Sequence, residues 1–132
     1  MSDSAPFATR SDPCARRAYQ RWHYRQNKDL YRQRAKAQNL KTRAAIRGYV
    51  LDYLRGHPCV DCGEADPVVL EFDHREGTQK RFNIGNAVTD GYGLSTVIAE
   101  IAKCDVRCAN CHRRETYRRA GHRHRGGSGG QI

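Results

Sequence analysis

Two Cys-x-x-Cys pairs, Cys59-Val60-Asp61-Cys62 and Cys108-Ala109-Asn110-Cys111, constrain this chain more than any other feature. Each pair sets two sulfurs on one side of a tight turn. A fold that brings the turns together gives a four-sulfur tetrahedral site, which predicts zinc. Such a closed site has no open coordination position, so the zinc is expected to be structural. In small zinc peptides it contributes on the order of 10 kcal/mol to folding. The chain needs that support. Of its 132 residues only 38% are hydrophobic and 29% are charged, a thin core that calls for a metal, a disulfide or a partner.

The setting is expected to be reducing and cytoplasmic. Met1 to Thr9 lack the basic-then-apolar order of a signal peptide. No apolar run approaches the roughly 18 residues of a membrane span, so no membrane partner is expected. Paired cysteines in such a compartment bind metal more often than they form disulfides. Cys14 and Cys104 are left over. They read as a free thiol and a buried small hydrophobe, with a lost N-terminal knuckle as the alternative for Cys14.

The net charge of +10 is concentrated. Residues 10–47 hold twelve of the 24 basic residues and only two of the 14 acids, Asp12 and Asp29, so the whole excess resides there. A concentrated positive field attracts polyanions, with DNA or RNA the usual partner. Arg16, Arg17, Arg21, Arg25, Arg32 and Arg34 are candidate phosphate contacts. The interleaved Tyr19, Trp22, Tyr24 and Tyr31 could stack on bases or pack on the domain. A solvated charged helix is the competing reading. Arg113, Arg114, Arg118, Arg119, Arg123 and Arg125 form a second basic cluster near the C-terminus, also placed for phosphate contacts.

Four segments follow: a disordered N-terminus at 1–13, a basic helical arm at 14–56, a metal domain at 57–120 and a flexible Gly-rich tail at 121–132. Between Cys14 and Arg55 only Gly48 interrupts a helix-favouring composition. Ile46, Tyr49, Val50, Tyr53 and Leu54 make one apolar stripe that should dock on the metal domain. Gly56 and Pro58 end it. The first half has no clean stripe, so its helix could form only on nucleic acid. Pro67 to His74 alternates as a strand, and 75–93 is loop-like with a short strand at Arg81–Ile84. Ser95 caps a helix reaching about Lys103, with Leu94 as a staple and Ile98, Ile101 and Ala102 inward. Val106-Arg107 is a short strand, and Asn110 to about Arg119 a basic helix. The fold class is α+β.

Asp73-His74 is the chemically sharp feature. Strand neighbours point to opposite faces, so both can line one site only where the strand ends. Arg75-Glu76-Gly77 supplies that turn. His112 directly follows the second knuckle. A carboxylate and an imidazole from two elements can share a divalent ion with water positions open. A neighbouring histidine can then take a proton from the attacking water.

Cys-Val-Asp-Cys (59–62), Leu-Glu-Phe-Asp-His (70–74) and Cys-Asp-Val-Arg-Cys-Ala-Asn-Cys-His-Arg-Arg (104–114) resemble the HNH endonucleases of the zinc-knuckle type, common in phages and bacteria. The resemblance covers about residues 57–119. It implies a ββα-metal finger, two strands and a helix with a divalent ion between, stabilised here by the four-cysteine zinc site. By position, Asp73 would be a metal ligand, His74 the general base and His112 the second ligand. The catalytic ion would be Mg²⁺ or another divalent cation such as Mn²⁺, Ni²⁺ or Zn²⁺. The implied reaction is phosphodiester hydrolysis of DNA, leaving a 5′ phosphate and a 3′ hydroxyl, in a bacterial cell or phage-infected host. One position departs: where the family places its middle Asn, this chain has Lys103, and Asn110 sits inside the knuckle. Lys103 could contact a phosphate, and Asn110 could be a turn residue or helix cap. A non-catalytic zinc-stabilised nucleic-acid-binding protein is the alternative. Homodimerisation and phage packaging partners both stay open.

Overall fold

The computed structural model describes residues 12–121. The expected disordered N-terminus, the Gly-rich tail, and Arg123 and Arg125 therefore lie largely or wholly outside the described residues. The elements are α1 (Pro13–Gln26), α2 (Lys28–Gly56), β1 (Leu70–His74), α3 (Leu94–Ile101), β2 (Cys104–Cys108) and α4 (Ala109–Ala120), with two short 3-10 turns. This is the expected α+β class. No described helix is long and apolar enough to cross a membrane.

The expected continuous helix is broken at Asn27. Asp12 caps α1 by accepting from the Cys14 N–H at 2.9 Å, with Pro13 in the first turn. Asn27 ends it, its side-chain amide donating to the His23 carbonyl at 2.8 Å. The aromatic residues that gave no stripe meet one another across the break. Tyr31 Oη lies 3.1 Å from His23 Nδ1, and the Tyr24 and Tyr31 rings are 5.6 Å apart. Contacts divide the chain into two units between Lys41 and Thr42, within α2.

In the second unit, the α2 stripe is buried as its spacing requires. Ile46 packs with Phe82, Ile84, Ala87, Val97 and Ile101, flanked by Tyr49, Val50 and Tyr53. Leu54 packs with Leu70, Val106 and three of the knuckle cysteines. The loop after β1 therefore supplies core. The strand expected at Arg81–Ile84 does not form; Phe82 and Ile84 are buried, and a 3-10 turn runs over Ile84–Asn86.

β1 and β2 pair antiparallel, from Leu70 opposite Cys108 to His74 opposite Cys104. β1 is shorter than its alternation predicts because Asp66 accepts from the Val68 N–H at 3.0 Å and turns Pro67–Val69 into a 3-10 turn. β2 is longer than the two residues expected. The α3 expectation is corrected in two ways. The helix begins at Leu94 on a Gly93 cap rather than on Ser95. Its buried side chains are Val97, Glu100 and Ile101, while Ile98 is 38% exposed and Ala102 is exposed. A carboxylate faces inward because hydrogen-bond donors wait there, a condition that apolar periodicity does not register.

Candidate metal centre and catalytic groove

Cys59, Cys62, Cys108 and Cys111 converge, with all four sulfurs within 4.8 Å of one another. The Cys62 and Cys108 sulfurs are 3.7 Å apart. A tetrahedron with metal–sulfur bonds of about 2.3 Å has edges of about 3.8 Å, whereas a disulfide needs about 2.05 Å. The four thiols are free and fit a metal ion. Local architecture produces this arrangement. The Gly63 N–H donates to the Cys59 carbonyl at 2.9 Å, with Gly63 at a φ of 77° that favours glycine, closing the first knuckle. In the second, Cys108 caps α4, its sulfur accepting from the Cys111 N–H at 3.4 Å. The Val60 N–H donates to the Val106 carbonyl at 2.9 Å, tying the first knuckle to β2.

The thiols do not titrate alike. Burial raises the Cys59 pKa, but backbone hydrogen bonds at Cys108, Cys62 and Asp61 outweigh it and lower it to about 6. Cys111 is pushed up to about 12, first by its hydrogen bond with Cys108 and then by burial. Close-set thiols cannot all ionise unaided, and a divalent cation supplies the missing charge. The leftover cysteines behave differently. Cys14 is exposed, and Cys104 is buried with its thiol raised to about 11 by burial and the Glu100 charge.

Beside this centre lies a groove of about 880 Å³. Asp73, His74 and His112 all line it, joined by Arg47, Lys80 and Arg119. Asp73 and His74 reach the same groove because His74 is the last residue of β1. There Arg75 donates its N–H to the Lys103 carbonyl at 3.0 Å as the chain turns. Gly77, with φ of 82°, completes the bend.

Asp73 is 4% exposed and heavily engaged. Its Oδ2 accepts from Arg107 Nη1 at 2.6 Å, and its Oδ1 accepts from Arg119 Nη1 at 2.8 Å. His112 Nε2 stands 3.5 Å from Asp73 Oδ1, while His112 Nδ1 lies 2.7 Å from Glu71 Oε2. His74 Nε2 lies 2.8 Å from Glu100 Oε1. His74 thus has one ring nitrogen against a carboxylate, and His112 has both.

Lys103 does not occupy the groove wall. Its Nζ donates to Glu100 Oε2 at 2.8 Å and to the Gln79 carbonyl at 3.0 Å. Asn110 is exposed in the first turn of α4 and lines a shallow depression with Arg113, Arg114 and Tyr117 instead. Arg16, Arg17, Arg21, Arg25, Arg32 and Arg34 are all exposed on α1 and α2. Arg32 makes a 4.0 Å contact with Asp29, which exposed side chains hold weakly. Arg113, Arg114 and Arg118 are exposed on α4, and Arg118 pairs with Glu115 and Glu76.

Sequence reasoning missed Glu71, Glu100 and Arg107, and read Arg119 only as one of a basic cluster, not as a partner of Asp73. Arg107 reaches Asp61 at 2.8 Å as well as Asp73, linking the first knuckle to β1. Arg119 Nε is buried without a hydrogen bond, though Glu115 and Glu76 oxygens lie at 3.3 and 3.5 Å. Alternation on β1 could have flagged Glu71 beside Asp73. Glu100–Lys103 and Arg119–Glu115 lie at helical spacing, but no local signal marks Glu100–His74, Arg107–Asp73 or Arg119–Asp73, which join distant parts of the chain. No family model, curated protein or solved structure matches the chain.

Proposed function

We propose that this chain is a metal-dependent DNA endonuclease of the zinc-knuckle HNH kind, with β1, β2 and α4 as its ββα-metal finger and zinc as its structural metal. The observation that carries the reading is the convergence of Asp73, His74 and His112 on one groove with Arg47, Lys80 and Arg119. Three cations beside two histidines and two carboxylates, Asp73 and Glu71, suit a phosphodiester held with a cation better than a neutral ligand.

The donor set fits a divalent cation. Asp73 Oδ1 and His112 Nε2 are 3.5 Å apart, near the roughly 3.0–3.4 Å expected of two ligands with bonds of about 2.1 Å to one ion. Glu71 against His112 Nδ1 holds that nitrogen as the donor and leaves Nε2 as the ligand, the usual carboxylate–histidine–metal arrangement. Asp73 and His112 would hold the ion, which would stabilise charge on the phosphate and the leaving oxygen. Imidazole and carboxylate donors accept Mn²⁺, Ni²⁺ or Zn²⁺ as well as Mg²⁺.

The side chains divide the remaining work. Lys80, Arg47 and Arg119 attract and seat the phosphodiester. His74 accepts the proton of the attacking water as the water oxygen bonds to phosphorus. The phosphorus–O3′ bond breaks, and the departing oxygen takes a proton from solvent. The products are a 5′ phosphate and a 3′ hydroxyl. The exposed arginines of α1, α2 and α4 supply phosphate contacts that position DNA without reading its sequence.

One observation favours a second reading, a zinc-stabilised nucleic-acid-binding protein without catalysis. The Asp73 carboxylate already faces two guanidinium groups, which compete with a metal ion for it. Plasmid nicking with Mg²⁺, Mn²⁺ or Ni²⁺ separates the two. Wild type nicks, and His74→Ala loses about 10²–10⁴-fold while keeping zinc and DNA binding. DNA binding without nicking under every ion assigns the second reading.

A further inference from the structure

The resemblance leaves this chain without its middle Asn, and a carboxylate lies where His74 needs a partner. Glu100 is 2% exposed, and its Oε1 is 2.8 Å from His74 Nε2. Three elements hold it in place. The Arg81 N–H donates to Oε1 at 2.9 Å, Lys103 Nζ donates to Oε2 at 2.8 Å, and α3 carries the side chain itself. Lys103 is anchored in turn on the Gln79 carbonyl. Burial of a carboxylate is costly unless it is paired, and this one is paired on both oxygens.

We infer that Glu100 is the positioning residue of His74, a buried carboxylate that fixes its tautomer and its ring plane. An ionised carboxylate only accepts hydrogen bonds. Glu100 therefore requires the proton of His74 on Nε2, which leaves the Nδ1 lone pair for the attacking water. It also fixes the ring plane. Once His74 has taken a proton, the adjacent negative charge stabilises the imidazolium, which a neutral amide cannot do. The inference rests on the nuclease reading for its catalytic meaning and on the His74–Glu100 contact for its structural part.

Lys103 has a different role in this arrangement from a phosphate contact. It neutralises Glu100 from the side away from His74, at the same bond length as the imidazole. Replacing it perturbs the carboxylate without removing the histidine's partner, which makes it a control for purely structural effects.

The test uses the full zinc-loaded chain. Proton NMR of wild type is expected to show a downfield, slowly exchanging His74 Nε2 proton, assigned by its loss in His74→Ala. Glu100→Ala loses that signal, and Lys103→Met keeps it. In nicking kinetics, Glu100→Gln lowers kcat by about 10–100-fold with KM within about twofold, because the charge and not the fold has been removed. Zinc content and circular dichroism verify that each variant is folded. An absent Nε2 signal in wild type, or equal loss of it in Glu100→Ala and Lys103→Met, overturns the inference. So does wild-type kcat in Glu100→Gln when His74→Ala is inactive. If wild type fails to nick under any ion, the nuclease reading falls and Glu100 has no catalytic role, whereas the NMR result still decides whether it orients His74.

Discussion

Asp73 Oδ2 and Arg107 Nη1 are joined by a 2.6 Å ion pair between side chains only 5% and 11% exposed. The pair bridges the two strands beside the groove, and Arg107 extends it to Asp61 in the first knuckle. Its strength comes from exclusion of water, and so does its fragility. Removing one partner of a buried pair strands the other charge, at a cost of about 3–5 kcal/mol. Arg107→Met is expected near the lower end, about 3 kcal/mol, because Arg119 still faces Asp73. Urea unfolding of the zinc-loaded protein measures it. A loss below about 1 kcal/mol would mean that the pair behaves as a surface contact.

The four-cysteine centre should behave as a folding element. Purified protein is expected to carry one zinc per chain by elemental analysis. Removing it with a strong chelator, or substituting Cys111→Ser, should remove stabilisation on the order of 10 kcal/mol and unfold the second unit. Full retention of near-UV circular dichroism after metal removal would show that the hydrophobic clusters suffice alone.

The exposed arginines of α1 and the first half of α2 should govern salt dependence. If they contact DNA phosphates, deleting residues 12–41 reduces the slope of log K against log salt by about 0.9 per lost contact. Filter binding across a salt series reads it directly. An unchanged slope would transfer the phosphate contacts to α4 and the groove.

Glu100 should leave a signature in acid stability. Burial alone would raise its carboxyl, but hydrogen bonds from Lys103, the Arg81 backbone and His74 outweigh it and lower its pKa from 4.5 to about 2. A carboxyl depressed in the folded state stabilises it above the unfolded pKa, and that stabilisation is lost as pH falls from about 4.5 to 2. Unfolding free energy should therefore decline across that window more steeply in wild type than in Glu100→Gln. Parallel profiles would show that the carboxylate gains nothing from its partners.

Much of the fold was legible because it rests on local patterns. The α2 stripe from Ile46 to Leu54 repeats at helical spacing, and β1 alternates up to His74. Knuckle turns are written in the Cys-x-x-Cys spacing. What escaped was non-local. The loop that carries Phe82 and Ile84 looks polar and Gly-rich, yet those two side chains help build the core around Ile46. Glu100 is not among the α3 residues that the sequence places inward, because helical periodicity classes every carboxylate as polar. Its donor Lys103 lies only three residues on, but its other donors come from β1 and from the loop at Arg81, and only a folded chain brings those to it.

By itself, the sequence determined the four thiols, the basic segment and the candidate trio of Asp73, His74 and His112, because each is a matter of residue type and short-range spacing. The tertiary structure alone decided which carboxylate meets which histidine and which guanidinium groups meet Asp73. Those choices depend on the register that sets His74 opposite Cys104, on the burial of one α3 face, and on the high cost of leaving a buried charge unpaired. Such costs are settled among partners distant in the chain, so no spacing along it records them.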